Sequence, residues 1–274
     1  MKNPVIGIDV GSVAVKAVAF AGDTPVSRFH EPTAPDVREQ STRVLHTIRQ
    51  ELDSAKPKVY ATGYGRKLVE GADQQVSEIV ANAAGAGWLW HNWDRLETMW
   101  EEKPRPESRP RRFRTIIDVG GQDSKVITFS PDGLVDQFTM NDRCAAGTGR
   151  FLEVMARVLE VDLARLDELA LSGDDPCQIS TACTVFAESE VVSLLGEGAD
   201  KQNLAAGILA SVAERIAGLA GQLRFEEPVL LDGGASHSRA LARELGNALD
   251  MTVAVPPRGE FVTALGAAVL ARRE

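Results

Sequence analysis

A run of apolar residues that ends on Asp-Val-Gly occurs twice in this chain, as Ile6-Gly-Ile-Asp9-Val-Gly11-Ser12 and as Ile116-Ile-Asp118-Val-Gly120-Gly121-Gln122-Asp123. After each, a second apolar run gathers around a lysine, Lys16 in the first copy and Lys125 in the second. Residues 5–20 therefore read as two strands joined at Gly11-Ser12, and residues 115–129 as their counterpart. A strand that delivers a carboxylate into a glycine turn offers an oxygen for Mg²⁺ or water, beside backbone N–H groups and a hydroxyl for phosphate. A single Asp-x-Gly is an ordinary turn. Two copies in the same order, each followed by helical material, imply an α/β chain of two duplicated domains with a nucleotide cleft between them. A further strand, Val229-Leu-Leu-Asp232, runs into the glycine turn Gly233-Gly234-Ala235-Ser236.

Most of the remaining chain has helical patterning. Residues 36–54 are polar with helical character, Lys58 to Arg66 reads as a short buried strand entering a glycine turn, and residues 76–84 are helical again. All four tryptophans, Trp88, Trp90, Trp93 and Trp100, lie close together. Leu89, Trp93, Leu96 and Trp100 share a helical stripe, which suits either packing on the same domain or a docking surface. Residues 101–112, rich in proline and arginine and without an apolar side chain, read as a linker or exposed loop. This places a first domain at 1–112, including a Trp-rich insertion at 85–113, completed by the C-terminal helix 257–274. The second domain is 113–256. Leu204, Ile208, Val212, Ile216, Leu219 and Leu223 mark a long amphipathic helix, and Ser238 to Leu249 another. Met251 to Val255 reads as a strand stopped by Pro256-Pro257. In the Ala-rich helix from Glu260 to Arg272, Gly266 permits tight packing or the close approach of a nucleotide.

Three cysteines cannot build a disulfide framework and suit a reducing compartment, where thiols more often bind metal or catalyse. Cys144 precedes Gly147-Thr148-Gly149 and a helix whose apolar stripe is Phe151, Val154, Met155, Val158 and Leu159. Cys183 precedes a second helix with Glu188 and Glu190 near its start. The amides and positive dipole end of a helix start favour an anion, and so favour thiolate over thiol. Burial as small structural hydrophobes is the other use of free cysteines. Cys177, beside Pro176 in a polar loop, reads as a bystander.

The elements Asp9-x-Gly-Ser, Asp118-x-Gly-Gly-Gln-Asp, Leu231-Asp-Gly-Gly-Ala and Gly266-Ala-Ala resemble the two phosphate elements and the adenosine element of the actin, Hsp70 and sugar-kinase superfold, with ribonuclease H-like domains. Within it, Ile116 to Lys125, Met140 to Glu153, Ser180 to Glu190 and Ala61-Thr-Gly-Tyr-Gly-Arg66 are similar to one family. It comprises the ATP-dependent activators of 2-hydroxyacyl-CoA dehydratases and the ATP-binding subunits of benzoyl-CoA reductase. The resemblance implies ATP and Mg²⁺ as ligands, with Asp9 and Asp118 handling the metal and the attacking water and Gln122 orienting that water. Gly11, Ser12, Lys16, Gly120, Gly121, Gly233 and Gly234 would hold phosphates, and Gly147, Thr148 and Gly149 would favour an anion. It also implies that Cys144 and Cys183 of each protomer bind a [4Fe–4S] cluster at a dimer interface with an identical or paralogous subunit. Implied partners are ferredoxin or flavodoxin as electron donor and an iron–sulfur acyl-CoA reductase or dehydratase as acceptor.

The insertion at 85–113 departs from the compact activators and points to an ATP-binding subunit retained in a benzoyl-CoA reductase complex, with a dehydratase activator as the alternative. A small-molecule kinase of the same superfold would explain the phosphate turns but leave both cysteine motifs unused. A nucleotide-dependent binding module would explain the turns and the tryptophans and would be free of iron. A net charge of −9 argues against a nucleic-acid surface. Asp9 interrupts the only N-terminal apolar run, and no segment reads as long enough to span a bilayer, so the expected location is cytoplasmic.

Overall fold

A computed structural model of the protein describes residues 3–52, 56–141, 144–180 and 183–273. In chain order its elements begin β1 (Val5–Val10), β2 (Ala14–Ala21), β3 (Thr24–Pro32), α1 (Val37–Glu51), β4 (Lys58–Thr62), β5 (Gln74–Gln75), α2 (Glu78–Asn92) and α3 (Leu96–Trp100). They continue β6 (Thr115–Val119), β7 (Ser124–Phe129), β8 (Val135–Asn141), α4 (Gly149–Val158), α5 (Leu163–Ser172), α6 (Thr184–Gly196) and α7 (Lys201–Ala220). Last come β9 (Val229–Asp232), α8 (Arg239–Leu249), β10 (Val253–Ala254) and α9 (Val262–Ala271). The chain divides into two compact units, Met1–Arg112 with Pro256–Glu274, and Phe113–Val255.

The first unit carries a sheet in the order β3-β2-β1-β4-β5, in which β1 pairs antiparallel with β2 and parallel with β4. Every residue of β1 is buried, the pattern of a strand covered on both faces rather than one that alternates toward water. Ile6, Ile8 and Val10 join Val44, Leu45 and Ile48 of α1 in one core. On the other face the backbone of α9 comes so close that a Cβ on Gly7 would overlap the Ala264 carbonyl. Helices α2 and α9 meet just as tightly, and a Cβ on Gly266 would overlap the Ala81 carbonyl oxygen. Backbone cannot swing aside as a side chain does. Gly266→Ala is therefore expected to lower stability by ~3 kcal/mol, the upper end of ordinary overpacking costs, read as a fall in the thermal unfolding midpoint.

The tryptophan segment packs on its own unit. Trp93 and Trp100 are 1% and 2% exposed, Trp88 meets Phe20 edge-on, and Trp100 lies against Phe261 with Arg28 over its ring. Residues 101–112 form the irregular, largely exposed stretch expected of a linker or exposed loop, and they end where the first unit gives way to the second, but they are also pinned to the tryptophans. The Trp90 and Trp93 indoles donate to the Pro110 and Pro106 carbonyls, and Arg109 stacks 4.6 Å from the Trp90 ring centroid.

The second unit repeats the arrangement with the order β10-β9-β6-β7-β8, β6 pairing antiparallel with β7 and parallel with β9. Its core joins Ile117, Val119 and Val126 to Phe151, Leu152, Met155 and Leu159 and to Leu204, Ile208, Val212 and Ile216. At 20 residues α7 is long and apolar enough to cross a membrane by length and composition, contrary to the expectation from sequence. Its hydropathy is spent on this core, where Leu204, Ile208 and Val212 are fully buried. Strands β3 and β8 carry no strong sequence signal because each edges its sheet and is largely unburied. Their partner strands fix them instead.

Candidate functional site

Each unit presents the same carboxylate box. In the first, Asp9, next to the end of β1, faces Lys16 of β2, whose Nζ lies 3.3 Å from Asp9 Oδ2. Gly63, following β4 at φ +89°, closes on the other side, where a Cβ would overlap Asp9 Oδ1. In the second, Asp118 faces Lys125 in register at 3.5 Å, and Gly233 at φ +81° abuts Asp118 Oδ1 in the same way. Both positions require a residue that tolerates positive φ and has no side chain, which is glycine. Asp9 and Asp118 are each 7% exposed. A cation beside each carboxylate offsets the cost of holding it in so little water. Lys125 is also 2.9 Å from Asp123, and Asp232 lies in register beside Asp118, so the second box is the more acidic.

The phosphate turns are shaped by their own backbone. The Gly11 amide donates to the Ala14 carbonyl at 3.1 Å and the Gly120 amide to the Asp123 carbonyl at 2.9 Å. Ser12 and Gln122 stand exposed at the turns. Gly234 has open space where a Cβ would stand. Gly266 is accounted for by the contact with Ala81 described above.

Cys144 and Cys183 are both exposed. Their motif neighbours Asp142, Arg143, Thr181 and Ala182 lie outside the described residues. Cys183 is the N-cap of α6, so its thiol stands where the dipole argument puts it. Cys144 does not. The N-cap of α4 is Thr148, and the first amides of that helix, Gly149 and Arg150, donate at 2.9 and 2.8 Å to the Gly120 and Gly121 carbonyls. The anion site expected at Gly147-Thr148-Gly149 is thus partly filled by the second phosphate turn itself. Thr148 turns inward, its hydroxyl donating to the Ala145 carbonyl, and Ser124 donates to the Gly147 carbonyl.

Three further groups shape the surroundings of the thiols, and of these only Glu190 is singled out in the sequence, by its place near the start of its helix. Asn141 donates to the carbonyls of Cys144 and Ala146 and accepts from the Cys144 amide, clamping that loop. Glu190 accepts from the Ser180 amide and hydroxyl and so steadies the approach to Cys183. Arg215 of α7 stacks 4.9 Å from the Phe151 ring centroid and lies within electrostatic reach of both thiols. Partial burial lowers its pKa, while Cys144, Glu214, Cys183 and Glu190 pull it back up. Asn141 was legible as the loop's polar neighbour; nothing local marks Arg215. Cys177 belongs elsewhere: its backbone packs on Gly207, and burial, with Asp175 and Asp200, raises its thiol pKa. Cys177→Ala is expected to leave the iron content of anaerobically purified protein unchanged, as measured by iron and sulfide analysis.

Two similar α/β units, each with an antiparallel strand trio continued by parallel strands and an aspartate box, define an actin-like ATPase fold. A glucokinase of Streptomyces griseus shares that fold alone, at 13% identity and TM-score 0.55 over 99% of this chain and 100% of its own. The sequence model described as the BadF/BadG/BcrA/BcrD ATPase family matches residues 106–271, and the chain belongs to that family. The (R)-2-hydroxyglutaryl-CoA dehydratase activating ATPase of Acidaminococcus fermentans is 38% identical over 98% of this chain and 97% of its own. The Clostridium difficile activator of 2-hydroxyisocaproyl-CoA dehydratase, solved with bound ADPNP, superposes with TM-score 0.84 at 35% identity over 98% of this chain and 94% of its own.

A benzoyl-CoA reductase subunit of Thauera aromatica is more distant, 27% identical over 96% of this chain and 91% of its own. The preference for a reductase subunit, drawn from residues 85–113, therefore gives way to the dehydratase-activator alternative. The activators match almost the whole chain, and the tryptophans that suggested a buried partner face are occupied within their own unit.

Proposed function

We propose that this chain is an ATP-hydrolysing activator of a 2-hydroxyacyl-CoA dehydratase, delivering low-potential electrons through a [4Fe–4S] cluster shared between two copies. The observation that carries this reading is the pair of exposed thiols, Cys144 and Cys183, in a chain that matches such activators over nearly its full length. A [4Fe–4S] cluster takes four thiolates. Among the described residues no group of three or more His, Cys, Asp or Glu side chains is arranged to hold a metal, so one chain offers two ligands and a second chain the other two. When bound, the cluster supplies one-electron chemistry, with ferredoxin or flavodoxin as donor and the dehydratase as acceptor.

ATP and Mg²⁺ are assigned to the Asp9 and Asp118 boxes. The carboxylates hold the metal or the attacking water, Gln122 orients that water, and Lys16 with the glycine turns carries the phosphates. Positioning and charge neutralisation suffice for such a transfer, and no covalent phosphoenzyme is required. The bonds from the α4 amides to the Gly120 and Gly121 carbonyls mean that a shift of the phosphate turn is transmitted to the Cys144 loop.

The test mixes the anaerobically purified protein with a 2-hydroxyacyl-CoA dehydratase, dithionite and MgATP. Dehydration that needs both this chain and ATP is the expected result. Dehydration that proceeds equally without ATP removes the proposal, and turnover only with a benzoyl-CoA reductase core restores the reductase reading.

A further inference from the structure

Arg215 of α7 lies beside the Cys144 loop, within electrostatic reach of Cys183 as well, and its placement is constrained from several sides. Its guanidinium lies over Phe151 in α4, the helix that follows the Cys144 loop. A Cβ at Gly147 would lie in ordinary contact with the Arg215 Cβ, 3.7 Å away, so the loop runs alongside this residue. Arg215 also lines a cavity of about 400 Å³ with Ser124, Asn141, Ala146 and Gly147, the groups that shape the same loop. Cys144, Cys183, Glu190 and Glu214 are among the charged or ionisable groups that act on it. A half-buried guanidinium is weakly screened, stays charged at any working pH, and resists rotation when stacked on a ring.

We propose that Arg215 is a positioning residue for the redox site, its fixed positive charge raising the reduction potential of the cluster held by Cys144 and Cys183. This rests on the cluster reading given above. The sign follows from charge balance: reduction adds one negative charge to the site, and a nearby cation favours the more negative state. Replacing the cation by a neutral group makes reduction harder.

The experiment compares wild type, Arg215→Gln and Arg215→Lys, each purified anaerobically, by iron and sulfide content and by EPR-monitored redox titration with dithionite. Arg215→Gln is expected to keep the wild-type iron content. At the potential where wild type is half reduced, its ratio of reduced to oxidised cluster should fall about tenfold, which is ~59 mV for a one-electron couple. Arg215→Lys, which keeps the charge but loses the planar stack, should titrate close to wild type. Loss of iron from Arg215→Gln with a normal Arg215→Lys overturns the effect on potential and makes the charge a requirement for holding the cluster instead. An unchanged midpoint in Arg215→Gln overturns the inference, as does loss of iron from both variants, which would make the side chain a structural support. Iron-free wild type instead defeats the cluster reading on which the inference rests.

Discussion

Cys144→Ser and Cys183→Ser, each made alone, are expected to abolish cluster binding while leaving ATP binding in place. Anaerobic wild type should carry about half a [4Fe–4S] cluster per chain, two thiolates coming from each of two chains. One substitution removes two of the four ligands at once, because the change appears in both copies. Iron should therefore fall to background rather than to half. The separation from nucleotide binding follows from the local structure. Both side chains are exposed, and the contacts that join the Cys144 loop to the phosphate turn run through the backbone of Gly149 and Arg150 and through Ser124. A serine hydroxyl leaves those bonds intact. Iron and sulfide analysis reports the first part and equilibrium binding of an ATP analogue the second. Full iron in either variant would remove that cysteine from the site, and simultaneous loss of nucleotide binding would show that the loop fails as a whole.

The parts of this structure that sequence patterning predicts are those whose cause is local. The Asp9 and Asp118 strands are runs of apolar residues because α/β strands are covered on both faces, and the helix beginning at Phe151 buries the stripe its spacing marks. Gly63 and Gly233 are glycines for a reason that exists only in three dimensions, since the carboxylate each would collide with comes from another strand. The lysine partners are intermediate: Lys16 and Lys125 are visible as charges within apolar runs, but only hairpin register brings them opposite Asp9 and Asp118. Composition told only part of the story at residues 101–112. Proline and arginine marked a linker or exposed loop, and the segment is irregular and largely exposed, but its proline carbonyls also accept from the Trp90 and Trp93 indoles and Arg109 stacks on Trp90. Arg215 left no trace at all. It lies on a helix whose apolar stripe reads as core, and the loops it faces arrive from distant parts of the chain.

Asp118→Asn is the sharpest test of the ATPase assignment, because it removes charge without changing shape. The Asp118 carboxylate is 7% exposed, lies 3.5 Å from Lys125, and abuts Gly233 on its other side, so an amide of the same outline fits the box. Folding and cluster content should persist. What disappears is the negative charge available to Mg²⁺ or to the attacking water, and a positioned group handling a proton contributes typically ~10²–10⁴-fold to rate. ATP hydrolysis is expected to fall by that factor, and ATP-driven electron delivery to the dehydratase to fall with it. The reduced cluster's EPR signal, produced by dithionite alone, should be unaffected. Asp9→Asn, in the less acidic box, provides the comparison. If Asp118 handles the water and Asp9 the metal, the Asp9 variant should be rescued in part by raised Mg²⁺ and the Asp118 variant should not. Equal rescue of both assigns both carboxylates to the metal, and unchanged hydrolysis in Asp118→Asn withdraws the second box from the chemistry. The coupling claim is tested in the same material. The Gly120 and Gly121 carbonyls hold the first amides of α4, so a variant that hydrolyses slowly but still binds ATP should still alter the chemical accessibility of the Cys144 loop on binding.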